Sequence, residues 1–327
     1  MPKIHRCRIW LYTVVTVIAQ PLASGALAQS FPNKPLRMVV GFTAGGGTDV
    51  TARLVAQKLT PYLGQSVIVE NRAGATGAIG AEYVAKSPPD GYTVLMTASG
   101  TFINSVLRAH LSYDLERNLV PVSSVTTAPL VFVVHPSVPA RDVKEVIALA
   151  RSRPGKLNYG SDGIGGTAHL AGELFNLIAK VKLVHVPFKG AADAVIATAS
   201  DQVDMNFPSA PAAMPLVGAG KLRALAVTSA KRSSLMPSIP SLDESGLPGY
   251  DIFAWFGVLA PAAVPKDIIA QLNAAIIKVV NTPELKEAIN KQGMEPQTNS
   301  PEQFAAFMRS LRGQIDKLVK LAGMKVE

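Results

Sequence analysis

Nine residues, Gly41-Phe42-Thr43-Ala44-Gly45-Gly46-Gly47-Thr48-Asp49, have the types and spacing to do chemistry. Glycines let a main chain approach a bound group closely. The first turn of a following helix adds unpaired N–H groups and a partial positive charge, so the stretch suits an anion. A second run of the same kind is Gly160-Ser161-Asp162-Gly163-Ile164-Gly165-Gly166-Thr167-Ala168-His169. Two anion-accepting turns in one chain point to two jaws that close on a small carboxylate. Asp49 is expected to satisfy the first turn of a helix, because its carboxylate in direct contact would repel an anionic solute. Thr48 and Thr167 fit helix caps and ligand donors equally well. For His169, bracing the turn and touching the ligand are equally open.

Several other chemistries are excluded. No Gly-Lys-Ser or Gly-Lys-Thr follows the glycines, so the first turn is not a P-loop, and its spacing differs from the dinucleotide fingerprint. Ser161, Asp162 and His169 suggest a hydrolase, but they lie on one local turn without a Gly-x-Ser-x-Gly elbow. His5, His110, His135, His169 and His185 show no metal-ligand spacing, so neither metal nor cofactor is expected.

These turns need elements to position them. Strand Leu36 to Val40 enters the first and a helix from Asp49 to Leu63 leaves it. Strand Ser66 to Glu70, the turn Gly74 to Gly77, a helix to about Lys86 and strand Tyr92 to Thr97 follow. Such alternation predicts a parallel sheet covered on both faces, with ligands beyond the carboxyl ends of its strands. Phe42 to Asp49, Asn71 to Gly77 and Ser99 to Thr101 then share one rim, where Arg72 would be the natural partner for a second carboxylate. The signal weakens from Leu115 to Pro129. A second round of strands and helices runs from Leu130 to Thr228, and Phe207 and Ser209 end one of its strands, either against a solute or in the core. The chain closes with an apolar run, Phe253 to Leu259, and three helical stretches after Lys266. A block of helices without its own sheet has to pack on something earlier, so the chain is expected to cross back to its first domain. The expected division is 29–127 plus 254–327 for one α/β domain and 128–253 for the other.

Residues 1–28 read as a cleaved secretory signal: basic Lys3, Arg6 and Arg8, an apolar stretch from Ile9 to Ala19 too short to span a membrane, then Ala26-Leu27-Ala28. The only cysteine, Cys7, lies inside it, so the mature chain is expected to be exported to the periplasm without disulfides. Losing three basic residues lowers the formal charge from +9 to +6. No dense run of Lys or Arg with interleaved aromatics remains, which disfavours nucleic acid as a partner and fits attraction of small anions.

The order of the motifs carries a further reading. Pro35 to Asp49, Val69-Glu70-Asn71-Arg72-Ala73-Gly74, Pro89-Asp90-Gly91-Tyr92, Lys156-Leu157-Asn158-Tyr159 and His169-Leu170-Ala171-Gly172-Glu173-Leu174-Phe175 come first. His185 to Gly190, Gly220 to Thr228 and Ala254-Trp255-Phe256-Gly257 follow. Together these resemble the Bug family of extracytoplasmic solute receptors, the binding component of tripartite tricarboxylate transporters. The resemblance implies a type II periplasmic-binding-protein fold, two α/β domains joined by a hinge with the ligand cleft between them, and a monomer. It also implies that Ala44, Gly45, Gly46, Gly47, Thr48 and Asp49, with Ser161, Gly165, Gly166, Thr167, Ala168 and His169, surround one ligand carboxylate. Phe42, Ser99, Phe207 and Ser209 complete the expected set. The implied partners are a small carboxylate and a membrane permease. A sensor subunit serving a membrane kinase and an exported hydrolase are the competing readings. Many members carry Asp at the position of Pro208, where it would pair with a ligand ammonium. A buried ammonium without a partner is costly, so Pro208 argues against an amino acid and for a di- or tricarboxylate or an aromatic carboxylate.

Overall fold

The computed structural model describes residues 31–108 and 111–321, which belong to one compact unit beginning at Phe31. The expected signal segment lies outside the described residues. Strand β1 (Leu36–Val40) leads into α1 (Gly47–Leu63), followed by β2 (Val67–Asn71), a short 3₁₀ turn (Ala75–Gly77), α2 (Ala78–Ala85), β3 (Thr93–Ala98) and α3 (Ser99–Leu107). Then come α4 (Leu115–Asn118), β4 (Leu119–Pro129), β5 (Val131–Val134), α5 (Val143–Ser152), β6 (Asn158–Ser161), α6 (Thr167–Ala179) and β7 (Val184–Pro187). The rest comprises α7 (Ala191–Ala199), β8 (Met205–Asn206), α8 (Ala210–Gly218), β9 (Arg223–Val227), β10 (Phe253–Pro261), α9 (Lys266–Val280), α10 (Pro283–Lys291), β11 (Glu295–Pro296) and α11 (Pro301–Leu321).

A six-stranded sheet has the order β11-β4-β10-β3-β1-β2, and a five-stranded sheet the order β7-β6-β8-β5-β9. In the first, β1 lies just inside the β2 edge and pairs in parallel with β2 and β3. Met38, Val39 and Val40 are buried without alternation, as a strand covered on both faces requires. The expected all-parallel sheet is corrected to a mixed one: β10 runs antiparallel to β3 and β4. The reason is connectivity, since β10 returns from the smaller sheet and enters from the opposite end. The smaller sheet is mixed as well, β6 parallel to β7 and β8, β5 antiparallel to β8 and β9. Helices α9 and α11 pack on β4, and α9 also on α1, so the C-terminal helices cover the larger sheet.

Strand β4 was hidden by Pro121, Pro129 and a run of Ser and Thr. Its polar residues are buried yet satisfied: Ser124 N–H donates to Asn299 Oδ1 (2.9 Å), and the Ser124 hydroxyl to the Gln297 carbonyl (2.7 Å). The chain passes between the sheets at Pro129–Val131 and again between β9 and β10. Thr228 ties the passages together, its hydroxyl donating to the Ile252 carbonyl (2.6 Å) and accepting from Leu130 N–H (2.9 Å).

Candidate functional site

The β1–α1 turn comes first. The Asp49 carboxylate folds back into it, accepting from Gly45 N–H (3.0 Å), Arg53 Nε (2.9 Å) and Asn71 Nδ2 (2.9 Å). Burial alone would raise its pKa, but the hydrogen bonds from Arg53, Gly45 and Asn71 together outweigh burial and hold it below the usual carboxylate range. Because Asp49 is spent on its own turn, it does not cap the first amides of α1. The N–H groups of Gly47 and Thr48 find no acceptor among the described residues. An open helix start of this kind accepts an anion.

The second turn differs. Asp162 Oδ1 accepts from Ala168 N–H (3.1 Å), so the start of α6 is served by a carboxylate of the chain itself. Gly166 is required there, since a Cβ at that position would lie 2.3 Å from Asp162 Oδ1. Burial pushes the Asp162 carboxyl up to about 6, against the opposing hydrogen bonds of the Ala168, Asp162 and Thr167 amides. Behind the turn, His169 Nδ1 accepts from Gly165 N–H (3.0 Å), and its ring stacks on His185 with centroids 3.8 Å apart. His185 Nε2 lies 2.5 Å from Ser161 Oγ and the ring stacks in turn on Tyr159. Burial draws His169 down to about 4. Burial, and then the neighbouring His169, draw His185 down to about 3. Both rings are therefore neutral at ordinary pH.

The two turns meet. Ser99 Oγ, at the start of α3, is 2.7 Å from Thr167 Oγ1, and Thr76 Oγ1 donates to the Ile164 carbonyl (2.8 Å). Gly47 faces Ser209 and Phe256 so closely that a Cβ there would lie 2.6 Å from Ser209 Oγ and 2.7 Å from Phe256 Cζ. A cavity of about 40 Å³ remains between the turns.

Nine of the expected contacts line this cavity: Phe42, Gly46, Gly47, Thr48, Ser99, Thr167, Ala168, Phe207 and Ser209. The others do not. Ala44 and Gly45 lie on the exposed side of the turn. Asp49 points back into it, and Ser161, Gly165, Gly166 and His169 build the second turn from behind. Phe207 is also fully buried, stacked on Phe132 at 4.6 Å, so it is core and wall at once. Ser161 is fully buried against His185, which denies it the place of a nucleophile facing this cavity. Arg72 pairs with Glu70 (2.6 Å) and stacks on Tyr83, and is used in bracing.

Sequence reasoning missed Ala98, Leu130, Ala191, Ala254 and Phe256 as wall residues. For two of them a signal existed. In β10 a period of two places Ala254 and Phe256 on the cavity side and Trp255 on the other, where it packs against Phe102, Phe304 and Phe307.

Two α/β sheets, two chain passages between them and a cavity closed by turns from both define a solute-binding protein of the type II periplasmic-binding-protein fold. The chain belongs to the tripartite tricarboxylate transporter receptor family, whose model matches residues 51–324, and within it to the Bug proteins. It is 35% identical over 302 residues to protein BugT of Bordetella pertussis, covering 92% of this chain and 91% of the relative. The solved structure of Rpa4515 from R. palustris with adipate superposes with a TM-score of 0.88 at 35% identity, covering 90% of this chain and 98% of that one. The periplasmic binding protein BugD superposes at 0.87 with 32% identity, covering 90% and 99%. The family consists of solute-binding receptors acting outside the cytoplasm.

Proposed function

We propose that the mature chain, freed of residues 1–28, works in the periplasm as a monomeric receptor for a small organic carboxylate and delivers it to a tripartite tricarboxylate-type permease. Residues 29–127 with 254–327, and residues 128–253, act as two lobes hinged at the paired chain passages. The ligand is a di- or tricarboxylate or an aromatic carboxylate. One observation carries the reading: among the described residues the Gly47 and Thr48 amides open α1 without an acceptor into a cavity that turns from both sheets close. The hydroxyl-bearing residues Thr48, Ser99, Thr167 and Ser209 share that cavity with the apolar walls Phe42, Leu130 and Phe256. A carboxylate head and a hydrocarbon body fit such a lining, and adipate in the R. palustris relative has both. Closure follows from one ligand bridging both lobes, so binding and population shift are a single free energy.

Melting curves of the mature protein with adipate, citrate, benzoate and aspartate test this. At about a hundredfold excess over Kd a true ligand stabilises by roughly 3 kcal/mol. A shift with one of the first three supports the reading. Four flat curves would refute it.

A further inference from the structure

Asp162 is the one ionisable side chain on the cavity wall among the described residues. No cation faces it from the elements packed around it. On α6 the nearest titratable group is His169, neutral and engaged with Gly165 N–H. From β7, His185 is turned to Ser161 and is likewise neutral. On the β1–α1 turn the charged group is Asp49, tied to Arg53. The start of α3 presents only Ser99 and Gly100, and a Cβ at Gly100 would lie 3.0 Å from Asp162 Oδ2. Oδ1 is held by Ala168 N–H, whereas the Ser99 and Thr167 hydroxyls are bonded to each other.

A ligand carboxylate seated on the α1 amides therefore enters a space of about 40 Å³ that already contains a fixed carboxylate. That space admits about three water centres. Two carboxylates so close do not both stay ionised. We propose that the ligand binds together with one proton, carried by Asp162, whose neutral carboxyl then donates its O–H to the bound carboxylate. The inference rests on the receptor reading above. The proton comes from solvent, adds to an Asp162 oxygen and returns to solvent when the cleft opens; no other bond is made or broken. Burial has already raised this carboxyl to about 6 without ligand, so uptake near neutral pH is accessible.

Isothermal titration with adipate, malate and aspartate in buffers of different ionisation enthalpy tests the idea. Near pH 7.5, about one proton is taken up per adipate or malate bound, and Kd weakens roughly tenfold per pH unit above 6, levelling off below it. Asp162→Asn still accepts from α6 and offers an N–H to the ligand, so it binds with no proton uptake and no pH dependence. The buffer series on the unaltered protein is decisive even if that variant does not fold. Binding of adipate or malate without proton uptake overturns the inference and leaves the receptor reading standing. So does binding of aspartate alone without uptake, which makes the ligand ammonium the donor. Proton uptake that persists in Asp162→Asn overturns it too. Failure of every acid to bind removes the receptor reading itself.

Discussion

The stacked pair His169–His185 makes the second turn sensitive to acid. His169 Nδ1 accepts the Gly165 N–H, and protonation there replaces an acceptor with a donor facing a donor. Burial makes the folded protein resist protonating this ring, and its pKa falls from 6.5 to about 4. A base depressed in the folded state contributes stability that is complete above the unfolded pKa and is lost as pH falls through 6.5 toward 4. At 1.36 kcal/mol per pKa unit the loss is about 3 kcal/mol. His185, drawn down to about 3, loses stability over the same window and beyond it, because its ring too takes up a proton near 6.5 once unfolded but not while folded. Asp162 works the other way: with its carboxyl raised to about 6, the folded state gains stability as pH falls from 6 toward 3.8. The clean comparison is therefore made in an Asp162→Asn background. There, lowering the pH from about 6.5 to 4.5, over which the two rings together lose roughly 4–5 kcal/mol, should lower Tm by roughly 8–20 °C, taking about 2–4 °C per kcal/mol. The double change His169→Gln, His185→Gln keeps side-chain acceptors for Gly165 and Ser161 without titrating, and should flatten that limb. An unchanged slope in the double variant would refute the assignment, because the proton would be binding elsewhere.

Two further substitutions probe the cavity. Gly47→Ala places a Cβ 2.6 Å from Ser209 Oγ and 2.7 Å from Phe256 Cζ, which strains both the contact between the sheets and the packing within the larger one; by isothermal titration adipate should bind at least about tenfold more weakly, with ligand-free Tm lowered as well, and unaltered affinity would show that the closed contact is not used. Phe207→Ala empties a fully buried site against Phe132 and Phe175 and should cost about 3–5 kcal/mol in urea unfolding; a cost below about 1 kcal/mol would mean that Phe207 is wall only.

Much of the fold was legible because its signals are local. The strand feeding the glycines, the two Gly-rich turns and the helices after Lys266 each follow from periodicity and turn residues within a dozen positions. Strand β4 was not, because what makes it a strand is remote: Asn299 and Gln297 satisfy Ser124 from 175 and 173 residues away. The direction of β10 depends on where the chain re-enters the sheet, which no local pattern records.

The site shows the same division, with a chemical consequence. Which turn residues lie near a ligand is a local matter. Which atoms are left free to meet it depends on partners. Asp49 and Asp162 both accompany a glycine-rich helix start, and composition treats them alike. Asp49 sits inside its helix and is drawn off by Arg53 and Asn71, so α1 stays open. Asp162 stands before its helix and occupies the α6 amides, so the second turn presents a carboxylate where a second anion-accepting turn was expected. The significance of Pro208 changes with it. With Pro208 in place of an acid an ammonium was expected to find no carboxylate in the cleft, yet Asp162 supplies one on the cavity wall. Pro208 alone therefore no longer separates amino acids from other acids, and the preference for a plain carboxylate rests on the apolar walls Phe42, Leu130 and Phe256. What separates them is the source of the hydrogen that lies between Asp162 and the ligand: solvent for a plain dicarboxylate, the ligand's own nitrogen for an amino acid. Proton uptake on binding measures that difference directly.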